Sequence, residues 1–100
     1  MNKNIIIIGL TVIMLCMATV VVFAISEDEA YIRGYRDGYS KARSSSQDWQ
    51  KSIEKGGAWL VYYAGFSRED QLNRTNLQYQ FDNGFEDGWY DQRAGNRPAR

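Results

Sequence analysis

The sequence has no histidine, one cysteine (Cys16) and one proline (Pro98) in 100 residues. Without histidine, and with one thiol inside an apolar run, the usual zinc sites, nucleophile–base pairs and imidazole acid–base chemistry cannot be assembled. A single cysteine also means that no internal disulfide holds the chain together. Charge of either sign is not in excess: 12 Lys or Arg face 12 Asp or Glu, for a formal net charge of zero. The basic stripe that marks nucleic-acid binders is therefore missing. After Ser26 aliphatic side chains are scarce as well. The last 74 residues hold only Ile32, Ile53, Leu60, Val61, Leu72 and Leu77, beside six alanines and thirteen aromatics. Any core in this part must be aromatic.

What the sequence has in abundance at its start is apolar surface. Residues 5–25 form an uncharged run of 21 positions, preceded by Lys3 and followed by Glu27, Asp28 and Glu29. A run of this length suits a hydrocarbon core of roughly 30 Å. The charge asymmetry predicts a transmembrane signal-anchor over 5–25, residues 1–4 in the cytoplasm and the remainder outside. The alternative is a cleaved signal peptide, because Val22-Phe23-Ala24 and Ala24-Ile25-Ser26 both fit a small-x-small cleavage site. Either way the same domain is exported. Leu15 stands where a lipoprotein signal wants a small residue, so Cys16 is read as a lipid-facing or packing side chain.

Helix-start signals recur in the exported part: Ser26 with Glu29, Ser45 with Asp48, and Ser67 with Asp70. They predict a mainly α domain over 26–94, with helices over about 27–43, 47–66 (weakened at Gly56-Gly57) and 68–93, then a frayed tail at 95–100. Strand-like alternation is lacking, and Trp59-Leu60-Val61-Tyr62-Tyr63 is the one run that would suit a strand.

An internal repeat is the most informative feature. Tyr31-Ile32-Arg33-Gly34-Tyr35-Arg36-Asp37-Gly38-Tyr39 returns fifty residues later as Phe81-Asp82-Asn83-Gly84-Phe85-Glu86-Asp87-Gly88-Trp89. The shared pattern is aromatic-x-x-Gly-aromatic-x-Asp-Gly-aromatic. On a helix, Gly34 and Gly38 share one ridge, and Tyr31, Tyr35 and Tyr39 the adjoining one; Gly84 and Gly88 lie likewise beside Phe81, Phe85 and Trp89. Four interior glycines cost about 1 kcal/mol each against alanine, so the close approach of a backbone or a ring must offset them. The two copies are expected to pack on each other, aromatic wall into glycine groove, within one chain or between two.

Gly34-Tyr35-Arg36-Asp37-Gly38 followed, after a linker, by Gly88-Trp89 is similar to the ribosome modulation factor family of small ribosome-binding proteins. The likeness covers about ten residues of each copy. The apolar N-terminal segment, the neutral charge and the expected export depart from that family, and no functional residue is carried over.

Four carboxylates, Asp82, Glu86, Asp87 and Asp91, fall at one-turn spacings, but the calcium-loop pattern fails because Tyr79 would occupy its first position. The acidic run reads as a solvated face. Asn73-Arg74-Thr75 is a glycosylation sequon only if the host modifies exported chains. Trp49, Trp59, Tyr62 and Tyr63 are the candidate exposed aromatic contacts, although Trp59 and Tyr63 are spaced as a helix core face. The expected function is thus non-enzymatic and needs no cofactor or metal. The chain would contact the lipid bilayer and bind a membrane or envelope protein, or itself, through glycine and aromatic helix faces. The alternative is a secreted or periplasmic protein that stacks glycans or lipid headgroups on its exposed aromatics.

Overall fold

The computed structural model describes residues 23–100, which form four helices: α1 (Glu27–Ser44), α2 (Gln50–Ala64), α3 (Arg68–Leu72) and α4 (Arg74–Arg93). The predicted span at 5–25 lies outside the described residues except for its last three. Residues 23–25 are not helical, so no helix runs unbroken from an anchor into α1. Among the described residues no helix is long and apolar enough to cross a membrane.

α1 starts where the sequence predicts it. The Ser26 hydroxyl accepts from the Glu29 N–H at 3.1 Å. Acidic Glu27, Asp28 and Glu29 occupy the first turn and basic Lys41 and Arg43 the last, in the sense that suits the helix dipole. α2 starts three residues later than expected. Ser45 and Asp48 do not cap it: Ser45 closes α1 with its N–H on the Ala42 carbonyl and its own carbonyl accepts from the Arg93 guanidinium at 2.8 Å, while the Asp48 carboxylate pairs with Arg93 at 3.3 Å. The helix runs unbroken through Gly56 and Gly57, and the strand-like run from Trp59 to Tyr63 is helical.

The predicted third helix is two. α3 is capped by a full capping box, with the Ser67 hydroxyl on the Asp70 N–H and the Asp70 carboxylate on the Ser67 N–H. It stops at Asn73, whose N–H bonds back to Glu69 and Asp70 while its carbonyl starts α4 by accepting from Leu77. α4 closes through a left-handed Gly95 (φ 76°), with Gly95 N–H on Gln92 and Asn96 N–H on Asp91, the bonding of a Schellman motif.

α1 and α4 form the centre of the molecule. Gly34 faces the Phe81 backbone and Gly38 that of Phe85, while Gly84 faces Tyr31 and Gly88 faces Tyr35. Both registers rise together, so the helices are parallel. The offsets of 47 and 53 straddle the repeat length of 50, which makes the pair pseudo-twofold about an axis along the helices. Each glycine meets main chain rather than a ring. The expected wall-in-groove packing is therefore corrected to backbone on backbone, with the aromatic walls flanking the seam. A ring standing over the glycines would hold the helices apart by its own thickness.

α2 returns antiparallel and covers one wall. Leu77, Phe81 and Phe85 are fully buried, with Trp89 and Tyr35 nearly so. Trp59 packs on Phe81 at 5.5 Å between ring centroids, Tyr62 on Phe81 at 5.4 Å, and Trp59 on Phe66 at 5.5 Å. Pairs at such distances contribute about 0.5–1.5 kcal/mol each beyond area burial. Aromatic contacts thus do what aliphatic ones do elsewhere.

Candidate functional site

Three surfaces carry the residues singled out by sequence. The first is the glycine seam. A Cβ on Gly34 would lie 2.8 Å from the Phe81 carbonyl carbon, and on Gly88 2.9 Å from that of Tyr35, so the seam is filled from within the chain. These glycines hold the fold and face no solvent.

The second surface is the tyrosine wall of α1, the pseudo-symmetric counterpart of the wall that α2 covers. Its hydroxyls are the difference between the copies, since Tyr31, Tyr35 and Tyr39 stand where the other copy has Phe81, Phe85 and Trp89. Tyr31 donates to Asp87 and Tyr35 to Asp91, each at 2.5 Å, and Tyr39 donates to the Asn96 carbonyl at 2.8 Å. The bond to Asp87, aided by burial, pushes the Tyr31 hydroxyl up to about 12. Residues 95–100, expected to fray, have no regular structure and touch this wall at two hydroxyls. The Ala99 N–H donates to the Tyr35 hydroxyl at 2.9 Å, and the Arg100 guanidinium lies 5.8 Å from the Tyr31 ring centre. Between tail and helix is an open cleft of about 230 Å³ lined by Tyr35, Arg36, Tyr39, Ser40, Arg43, Pro98 and Arg100.

No family model, no curated protein and no solved structure matches the chain. The short-motif likeness to ribosome modulation factors thus has no family match behind it.

The third surface is the outward face of α2. Gly56 and Gly57 have nothing within 4 Å of a would-be Cβ, unlike the four glycines of the seam. Around them Ile53, Leu60 and Val61 are exposed, at i, i+7 and i+8 of one helix face with Gly57 at i+4, and Trp49 is exposed just before the helix begins. By local propensity alone Gly56-Gly57 is only a weak point in a helix. The available signal was that Ile53, Gly56 or Gly57, and Leu60 repeat at the same three- and four-residue steps as the seam.

The proposed exposed aromatic set is not one surface. Trp49 is 67% exposed, but Trp59 is 7% exposed and is corrected to a core residue, because it is the ring through which α2 reaches Phe81 and Phe66. Tyr62 and Tyr63 are half-buried beside it, with Arg33 over the first at 5.0 Å and Arg74 over the second at 5.8 Å.

The four carboxylates of α4 also separate. Asp87 and Asp91 serve the tyrosine wall, whereas Glu86 binds Lys55 at 3.1 Å and Lys51 at 3.4 Å, tying α2 to α4. The hydrogen bond from Lys55 holds the Glu86 carboxyl below its ordinary value, and burial pushes that of Asp82 up. Among the described residues no three potential ligands converge on a metal position.

Asp70 has a second, long-range contact besides its cap. The Asp70 carboxylate, read only as a cap, also accepts from the Ile25 N–H at 2.9 Å across 45 residues of sequence. Nothing local to either residue signals that contact.

Proposed function

We propose that this chain is a small, non-enzymatic binding protein, delivered outside the cytoplasm by its apolar N-terminal segment, which docks a helix of a membrane or envelope protein on the outward face of α2. Export rests on the apolar run of residues 5–25 and the charges that flank it. The docking reading is carried by a contrast between glycines. In this fold helical glycines adjoin another helix's backbone at four positions, whereas Gly56 and Gly57, inside a helix that loses about 1 kcal/mol for each, adjoin open space. Exposed Ile53, Leu60 and Val61 supply the apolar rim that such a contact needs. A second copy of the chain is the other occupant consistent with this face.

A photo-crosslinking residue placed at Ile53 or Leu60 in the exporting host tests the reading. A discrete adduct is expected at both positions and not at exposed Thr75, and Gly57→Leu should abolish it. An adduct of twice the chain mass would assign self-association. Equal labelling at all three positions would overturn the reading.

A second reading is favoured by the tail cleft. Arg36, Arg43 and Arg100 line it without an ion-pair partner within 4 Å among the described residues, beside Ser40 and two tyrosines. Arg43 stacks on Tyr39 at 5.7 Å, which occupies the guanidinium face and leaves its N–H edge for an anion. Calorimetric titration with inorganic phosphate, repeated on Arg36→Gln, tests this; no heat above dilution would remove the reading.

A further inference from the structure

Asp70 is 4% exposed, and a buried carboxylate without a cation is costly. No Lys or Arg among the described residues lies within ion-pair distance of it. Its Oδ2 accepts from the Ser67 hydroxyl at 2.9 Å and from the Ser67 N–H, which accounts for the helix cap. Its Oδ1 is directed at the backbone nitrogen of Ile25 instead.

Ile25 is also where the fold begins. Its side chain packs against the aromatic core, and the next residue, Ser26, caps α1. Immediately before it the chain contributes nothing to the domain: Phe23 is 85% exposed, Ala24 is exposed, and neither is helical. The boundary between packed and unpacked chain thus falls on the Ala24–Ile25 peptide bond. That bond follows Val22-Phe23-Ala24, a small-x-small sequence at the end of an apolar run with a basic start. Cleavage at the competing site, after Ser26, would remove both the Ile25 contact and the α1 cap.

We propose that a membrane-bound signal peptidase cleaves between Ala24 and Ile25, and that the α-ammonium group so created forms an ion pair with the buried Asp70 carboxylate. In the hydrolysis one water adds across the bond. Its oxygen goes to the Ala24 carbonyl carbon to give the departing carboxylate, and the Ile25 nitrogen takes up protons to become the ammonium. The nitrogen keeps its place; what changes is that a neutral N–H donor becomes a full positive charge 2.9 Å from Oδ1. Ile25 is half-buried, so the ammonium's other N–H groups reach water. The mature N-terminus then neutralises the one buried acid of the domain and locks the start of α1 to α3. Tyr62 of α2 also lies in the field of Asp70, together with Arg33, Glu29 and Asp37 of α1.

This inference rests on export, and the test separates the two. The full chain with its native N-terminus is expressed in an exporting bacterial host, fractionated, and examined by intact mass and N-terminal sequencing. A chain that starts at Ile25 in the exported fraction is expected. An exported chain starting at Met1 or Glu27 would overturn the processing site while leaving export standing, and a full-length chain kept in the cytoplasm would overturn both. The ion pair is tested on the purified mature product. Selective Nα-acetylation of Ile25 should lower the melting temperature by several degrees, and in Asp70→Asn acetylation should make no difference. If Asp70→Asn does not fold, the titration of a 15N-labelled Ile25 amine replaces it. A value above the ordinary α-amino range of about 7.7–8.0 supports the pair, and a value within that range overturns it.

Discussion

A single methyl group distinguishes the two kinds of glycine in this molecule. At Gly34 it would meet the Phe81 main chain, with the carbonyl carbon at 2.8 Å, and a backbone cannot rotate out of the way as a side chain can. The helices would have to separate along the whole seam. Gly34→Ala is therefore expected to cost about 3 kcal/mol or more, the upper end of overpacking penalties, and Gly84→Leu should leave no folded domain. At Gly57 the same methyl enters open space, so Gly57→Ala should stabilise the isolated protein by about 0.5–1 kcal/mol through helix propensity alone. Urea titrations of the two alanine variants check the contrast. Opposite signs are required; a shared destabilisation would mean that α2 is packed on its outer face even in the free chain.

At the level of elements, the start of α1 and the helical class were legible because their signals are local. Ser26 is read with Glu29, and Ser67 with Asp70, across three residues, and the glycine and aromatic ridges follow from a four-residue step. The misread boundaries have two different causes. Before α2, Ser45 serves instead as the C-cap of α1 and Asp48 pairs with distant Arg93, whereas Asn73 divides α3 from α4 through local bonds to both sides. The repeat showed that two helices match, but not that they run parallel with main chain against main chain, since a one-dimensional pattern does not say which ridge a partner sees. The contacts of the tail are invisible locally too: the tyrosine hydroxyls bonded to Asn96 and Ala99 lie 57 and 64 residues upstream. Ser67 offers the sharpest test at this scale. Ser67→Ala removes the hydroxyl that both caps α3 and binds Asp70 at 2.9 Å, and should cost about 1 kcal/mol. In an Asp70→Asn background the loss should shrink, because half of the capping box is already weakened. Additive losses in thermal melts of the double variant would show that the two residues act apart.

The whole molecule is a parallel glycine pair to which other pieces are fastened, and the fastenings are carboxylates. Two copies of one motif pair about a pseudo-twofold axis as two subunits of a dimer would, but the walls differ: one is apolar and takes α2, the other is phenolic and takes the tail. Glu86 ties α2 to α4 through Lys55 and Lys51, and Asp70 ties the chain's entry to α3. Burial alone would push the Asp70 carboxyl up, but the donors from Ile25 and Ser67 outweigh it and hold the group below its ordinary value; Lys55 does the same for Glu86. A carboxyl whose folded value is lowered stabilises the fold above its unfolded value, about 3.9 for Asp and 4.3 for Glu, and loses that stability as pH falls through the folded value. Asp82, raised by burial, acts with the opposite sign and is relieved by acid, which blunts the limb. Stability should accordingly hold from neutral pH to about 5 and fall below about 4. The α2 layer and the N-terminal entry should loosen first, since the glycine contacts between α1 and α4 are main chain on main chain and carry no charge. Urea midpoints against pH, followed by Trp59 fluorescence in a variant with Trp49 and Trp89 replaced by Phe, would show it. Asp70→Asn should flatten the acid limb at lower overall stability. An unchanged limb in that variant would place the acid sensitivity elsewhere and remove Asp70 from its role as a fastening.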